Sequence, residues 1–238
     1  MPERTLPALF EESVRAFPGN TLIWEKTGDR YEPTTFAAMR ELVRRFAAGL
    51  MSLGLTRGDR AALISEGRRD WIAAELGILS AGAVNVPVSV KVDELGDLKF
   101  RLAHSGCRFA VVSKSQLGKV RRIKPDLPEL VTTVVLDAVE DLARDEVTAA
   151  EVARRGEAFL AERPAALDEA LAALKEGDAA NICYTSGTTA DPKGIVLTHR
   201  NYTANIDQSR SLVDCPERYV SLLILPWDHS FCHTCGIY

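Results

Sequence analysis

Residues 179–197 read AANICY, TSGTTADPKG, IVL, so that Thr185-Ser186-Gly187-Thr188-Thr189-Ala190-Asp191-Pro192-Lys193-Gly194 stand between two apolar runs. The runs are short and end in turn-forming residues, which predicts a strand, a polar loop and a second strand. The loop carries four hydroxyls, two glycines and one lysine. Gly187 and Gly194 have no Cβ, so the backbone there can approach a ligand closely. Hydroxyls and freed backbone N–H groups donate to phosphate oxygens, and Lys193 adds a positive charge. Ordinary turn chemistry also places Ser, Thr and Gly in loops that bind nothing. Four hydroxyls beside a lysine exceed what a turn requires.

The spacing is not that of the usual P-loop, Gly-x-x-x-x-Gly-Lys-Ser/Thr opening a helix. Five residues separate Gly187 from Lys193, Pro192 precedes the lysine, and Gly194 follows where Ser or Thr would stand. The β-branched residues beyond predict a strand, so no helix N-terminus faces the loop.

Upstream, helix and strand alternate. Helical spacing marks 6–17, 34–53, 71–81, 95–104 and 116–123, and strands are predicted at 21–25, 61–65, 83–86, 109–113 and 131–136. In 34–53, Thr34 or Thr35 serves as cap and Phe36, Met39, Leu42, Val43, Phe46 and Leu50 share one face. Gly54 ends that helix and Gly82 the one at 71–81. Strands separated by helices predict an α/β fold, a mostly parallel sheet with helices on both faces. Residues 137–175 break the rhythm: they are rich in Ala, Glu and Arg and predict two solvated helices interrupted near Pro164. Residues 219–225 predict a further strand, leading to His229 at the ligand side of the sheet.

The chain has 238 residues, 46% hydrophobic and 26% charged, with a formal net charge of −4. That composition is ordinary for a globular protein, and the charge offers no attraction for nucleic acid. Residues 1–17 carry acids and no uninterrupted apolar core, unlike a signal peptide. No apolar run approaches the roughly 20 residues a membrane-spanning helix needs, which leaves only peripheral membrane contact open. Five cysteines without a secretory signal predict free thiols in a reducing, cytoplasmic compartment.

Tyr184-Thr-Ser-Gly-Thr-Thr-x-x-Pro-Lys-Gly, followed by a strand and Thr198-His199-Arg200-Asn201, resembles the phosphate-binding signature of the adenylate-forming (AMP-binding) enzymes. These are the acyl-CoA synthetases, luciferases and peptide-synthetase adenylation domains. Leu225-Pro226-Trp227-Asp228-His229-Ser230-Phe231 falls where that family carries Pro-x-x-His or Pro-x-x-Phe beside its acyl pocket. The order of elements also fits, so the resemblance covers essentially the whole chain, and 137–175 is similar to the excursion found in long-chain acyl-CoA synthetases. Ala190 departs from the glycine usual at its position. The resemblance implies that residues 1–238 are the truncated first part of a large N-terminal domain. It implies a helical insertion at about 137–175, a phosphate-loop hairpin at 179–199, and a C-terminal domain that is absent here.

By the same resemblance, Thr185, Ser186, Gly187, Thr188, Thr189, Lys193 and Gly194 hold the phosphates of ATP, with Thr185 also near Mg²⁺. Lys193 and Thr185 are the implied catalytic residues, and His229 and Trp227 the implied substrate pocket. The implied reaction activates a carboxylic acid, a fatty acid in the long-chain branch, to acyl-AMP and passes it to coenzyme A. Alternatives are a nucleotide-binding module, a degenerate non-catalytic relative, or an amino-acid or aryl-acid adenylation domain. The isolated chain is expected to be inactive, with the apolar run 220–225 exposed and open to homodimer formation.

Duller readings accompany several residues. His229 also has a lesser reading as a histidine satisfied by neighbouring backbone, and Trp227 one as simple core. His229, Cys232, His233 and Cys235 suggest zinc, yet Cys107, Cys183 and Cys215 stand isolated and supply no second ligand pair, so no metal is expected. His104 reads as a helix-surface residue and His199 as a strand-end residue.

Overall fold

The computed structural model describes residues 3–185, 192–212, 216, 217 and 219–238. Helix α1 (Leu6–Ala16) is capped by Thr5, whose hydroxyl accepts from the Ala8 N–H. Strands β1 (Thr21–Thr27) and β2 (Arg30–Thr35) pair as an antiparallel hairpin apart from the main sheet. Helix α2 (Phe36–Ser52) starts at Thr35, whose hydroxyl accepts from the Ala38 N–H at 3.1 Å. Strands and helices then alternate: β3 (Arg60–Ile64), α3 (Arg69–Ser80), β4 (Val84–Pro87), α4 (Leu95–Ser105), β5 (Cys107–Val112), α5 (Lys114–Ile123) and β6 (Thr132–Val135). Gly54 and Gly82, just past α2 and α3, take φ of 92° and 79°, a left-handed backbone that strains L side chains and ends a helix. The chain continues through β7 (Glu146–Thr148), α6 (Ala149–Glu162), α7 (Ala166–Ala173), β8 (Ala179–Thr185), β9 (Lys193–Thr198) and α8 (His199–Leu212). A single turn, α9 (Ser230–Cys232), runs into a π-helical turn at His233–Ile237.

The main sheet has seven strands in the order β7-β6-β5-β3-β4-β8-β9, parallel throughout except for the antiparallel β8–β9 pair. Strand alternation sorts the core between two faces. Ala61, Leu63, Phe109, Val111 and Val134 join the cluster built with α2 and α3, while Ala62, Ile64, Ala110, Val112 and Val135 join the one built with α4 and α5. A third cluster fastens α1 and α8 to β8 through Leu6, Leu9, Ala180, Tyr202 and Ile206. The α/β architecture expected from the alternation is therefore present. From β3 the chain steps to β4 on one side and then crosses to β5 on the other. Open α/β sheets bind ligands outside the carboxyl ends of their strands, where such an order reverses.

The sequence reading needs correction in three places. Residues 219–225 form no strand: Val220, Leu222 and Ile224 are 78–85% exposed, and no strand flanks them among the described residues. Apolar alternation alone does not make a strand without a ladder to complete its backbone hydrogen bonds. His199 opens α8 rather than closing a strand. The third is β7, which precedes the helices of the 137–175 stretch and pairs with β6.

Candidate active site at the carboxyl edge of the sheet

Strand β8 runs parallel to β4, so its end at Thr185 lies at the carboxyl edge, the edge where ligands are held in this architecture. The β8–β9 register pairs Ile182 with Val196, Cys183 with Ile195, Tyr184 with Gly194 and Thr185 with Lys193. Thr185 and Lys193 thus face each other across the mouth of the hairpin, and both are exposed. Lys193 belongs to none of the ion pairs among the described residues. Ser186, Gly187, Thr188 and Thr189 lie outside the described residues. A Cβ on Gly194 would stand 3.2 Å from Ile182 Cγ2 and 3.3 Å from Tyr184 Cζ, so the missing side chain makes room for the Tyr184 ring. Burial pushes the nearby Cys183 thiol up to about 11, which keeps it protonated and unreactive at neutral pH.

The turn at 226–229 meets the same edge through Trp227. A Cβ on Gly67, just beyond β3, would lie 2.5 Å from the Trp227 indole, which packs edge-on to Trp71 at 5.6 Å. Trp227 is half-buried against the core cluster of α2 and α3. His229 is exposed, and its Nδ1 accepts from the Phe231 N–H at 3.2 Å, capping α9. His229 is thus satisfied by neighbouring backbone, while Trp227 packs on the core beside Gly67 at the carboxyl end of β3.

A buried polar cluster beside these elements escaped the sequence reading. Glu75, Asn85, Asn181 and His233 are each fully inaccessible. Glu75 Oε1 accepts from Asn85 Nδ2 at 3.0 Å and Asn181 Nδ2 at 3.2 Å, and His233 Nδ1 lies 3.3 Å away. His233 Nε2 lies 2.7 Å from the Trp227 carbonyl; a carbonyl only accepts, so Nε2 carries the hydrogen. Asn181 Nδ2 also reaches Tyr202 Oη at 3.0 Å and His233 Nδ1 at 2.8 Å. Both ring nitrogens of His233 are therefore engaged by protein groups, and no cluster of three metal-ligating side chains occurs among the described residues. Glu75 Oε2, Asn85 Oδ1, Asn181 Oδ1 and Tyr238 Oη make no well-formed hydrogen bond. The buried Tyr238 hydroxyl nonetheless interacts with Glu75 and Asn181, and burial raises its pKa well above the usual phenol range. The cluster ties β8, which carries Thr185, to the turn that carries Trp227 and His229. One signal was available in the sequence: α3 is apolar nearly all round, and a lone glutamate in such a helix has no outward face to occupy.

Comparison with known proteins agrees with this geometry. The model of the AMP-binding enzyme family matches residues 10–238, and the chain belongs to that family. Within it the chain is acyl-CoA ligase-like. It is 29% identical over 203 residues to the long-chain-fatty-acid–CoA ligase ACSBG2 of Rattus norvegicus, covering 84% of this chain and 30% of that protein. It is 33% identical over 178 residues to the long-chain-fatty-acid–CoA ligase FadD15 of Mycobacterium tuberculosis, covering 74% of this chain and 28% of the other. The chain thus spans about 30% of the length of these relatives. Among solved structures, the inhibitor-bound N-terminal domain of FACL13 from Mycobacterium tuberculosis superposes with a TM-score of 0.79 at 27% identity, over 98% of this chain and 54% of that one. No helix among the described residues is long and apolar enough to cross a membrane.

Proposed function

We propose that this chain supplies the triphosphate-binding edge of an ATP-dependent acid–thiol ligase. In the whole protein a carboxylate oxygen attacks the α-phosphorus of ATP, the bond to the bridging oxygen breaks, and pyrophosphate leaves. The acyl-AMP then gives its acyl group to the thiol of coenzyme A and releases AMP. A fatty acid is the proposed substrate on the strength of the relatives' names. The observation that carries the proposal is the exposed Thr185–Lys193 pair across the hairpin mouth at the carboxyl edge.

The chemistry of these residues fits the group they would hold. A triphosphate is polyanionic, and Lys193 offers an exposed ammonium not committed to a described carboxylate. Thr185 offers a hydroxyl that can donate to a phosphate oxygen or take a place near Mg²⁺, which when bound neutralises phosphate charge. Ser186, Gly187, Thr188, Thr189 and Gly194 complete the proposed loop. Fixed donors at the point where charge develops lower the barrier because they need no reorganisation during the reaction. His229 and Trp227 are proposed to border the acid, with His233 and Glu75 holding their turn from behind. In the whole protein, Lys193→Ala should lower acid-dependent ATP–pyrophosphate exchange by roughly 10²-fold, the loss typical of one electrostatic donor. Unchanged exchange would remove Lys193 from the mechanism.

A further inference from the structure

Only one residue pair, Asn85 with Asn181, registers β4 against β8. The last part of β8, up to Thr185, therefore leaves the ladder of the central sheet, and on its other side lies only the edge strand β9. Something else must fix the hairpin mouth. The Tyr184 hydroxyl donates to the Arg101 carbonyl at 3.1 Å and lies 2.8 Å from His104 Nδ1. A phenol has a single hydrogen, so toward His104 it accepts, and Nδ1 carries the proton. The His104 ring stacks on Phe100 at 5.2 Å and meets Tyr184 edge-on at 5.9 Å. Arg101 lies 5.3 Å over the Tyr184 ring and is itself held by Asp97 at 2.9 and 3.1 Å. The hydroxyl-bearing end of the ring, Cζ and Cε1, also packs on Gly194. Tyr184 thus bolts the end of β8 both to the last turn of α4 and to the start of β9.

We propose that Tyr184 and His104 are positioning residues for phosphate contact, setting where Thr185 and Lys193 stand without touching the nucleotide themselves. The inference rests on the phosphate-site reading of the hairpin. Its test is titration of the purified chain with MgATP, together with amide hydrogen exchange measured without nucleotide. Tyr184→Phe and His104→Ala should weaken ATP binding roughly tenfold, the effect of losing one well-placed hydrogen bond. They should also speed exchange at the Thr185–Lys193 end of the hairpin while leaving β3 and β5 unchanged. His104→Asn, whose amide N–H stands in for Nδ1–H, should bind within about twofold of the parent. Parent-like ATP affinity in Tyr184→Phe and His104→Ala, with binding lost in Lys193→Ala, overturns the inference and leaves the phosphate site standing. Lower thermal stability with unchanged affinity has the same meaning. Absence of ATP binding in the parent, or parent-like binding in Lys193→Ala, brings down the phosphate-site reading and this inference with it.

Discussion

His199 Nδ1 accepts from the Leu6 N–H at 3.3 Å, and burial drives its pKa down to about 4, with Asp178 opposing the shift. An unfolded histidine titrates near 6.5. Between these values the unfolded chain binds the extra proton, so this contribution to stability is full above pH 6.5, falls as the pH drops, and levels off below about 4. The full loss is of order 3 kcal/mol, of which about 2 kcal/mol falls between pH 7 and pH 5. Urea denaturation at pH 7 and pH 5 should show it in the parent and not in His199→Asn; equal slopes in both would assign the pH dependence elsewhere. His229 offers a second test. If it borders the acid, His229→Ala raises KM for the acid more than for ATP in the whole protein. His229→Asn, which can still cap α9, separates the pocket role from the cap: a change in stability alone for Ala, cured by Asn, leaves only the cap. The hairpin that sets Thr185 opposite Lys193 was legible because two short apolar runs flank a turn-rich polar loop. The cluster of Glu75, Asn181 and His233 was not, because Glu75 is conspicuous only as a lone acid in an apolar helix and only the tertiary fold brings the three together.

Elements fixed by local chemistry were read well. Thr35 and Gly54 bound α2 through a cap and a left-handed glycine, and both signals sit within a few residues of the boundary. What failed was long-range. Residues 219–225 have a strand's pattern and no partner strand among the described residues, while β7 is only three residues long and pairs with the parallel edge that β6 offers. One packing feature joins the two kinds of information. Helices α2 and α6 touch backbone to backbone: a Cβ on Gly156 would lie 1.9 Å from the Arg45 carbonyl oxygen, and one on Gly49 2.0 Å from that of Val152. No rotamer relieves a clash with backbone, so the helices would have to separate. Gly156→Ala should therefore destabilise by about 1–3 kcal/mol or more. Gly118→Ala in α5, where a Cβ meets nothing within 4 Å, should instead gain about 0.5–1 kcal/mol from helix propensity. Chemical denaturation of both variants checks this, and a neutral Gly156→Ala would mean the two helices stand further apart.

Across the whole molecule, the parallel sheet sets where chemistry can occur, and exposed apolar surface is concentrated beyond β8. Ile195, Val196, Val220, Leu222, Ile224 and Phe231 are all exposed, close in sequence to the hairpin and the turn. The alternation of helix and strand was enough to read the sheet's class, whereas strand order was not readable, because crossovers leave no local trace in the chain. The mouth between Thr185 and Lys193 is proposed to receive a polyphosphate. The most direct measurement is the amide NMR spectrum of the isotope-labelled chain titrated with MgATP. The claim predicts shifts confined to the end of β8, residues 186–192 and the start of β9, with saturation, and their loss in Lys193→Ala. Shifts that map elsewhere, or that persist undiminished in Lys193→Ala, would contradict it.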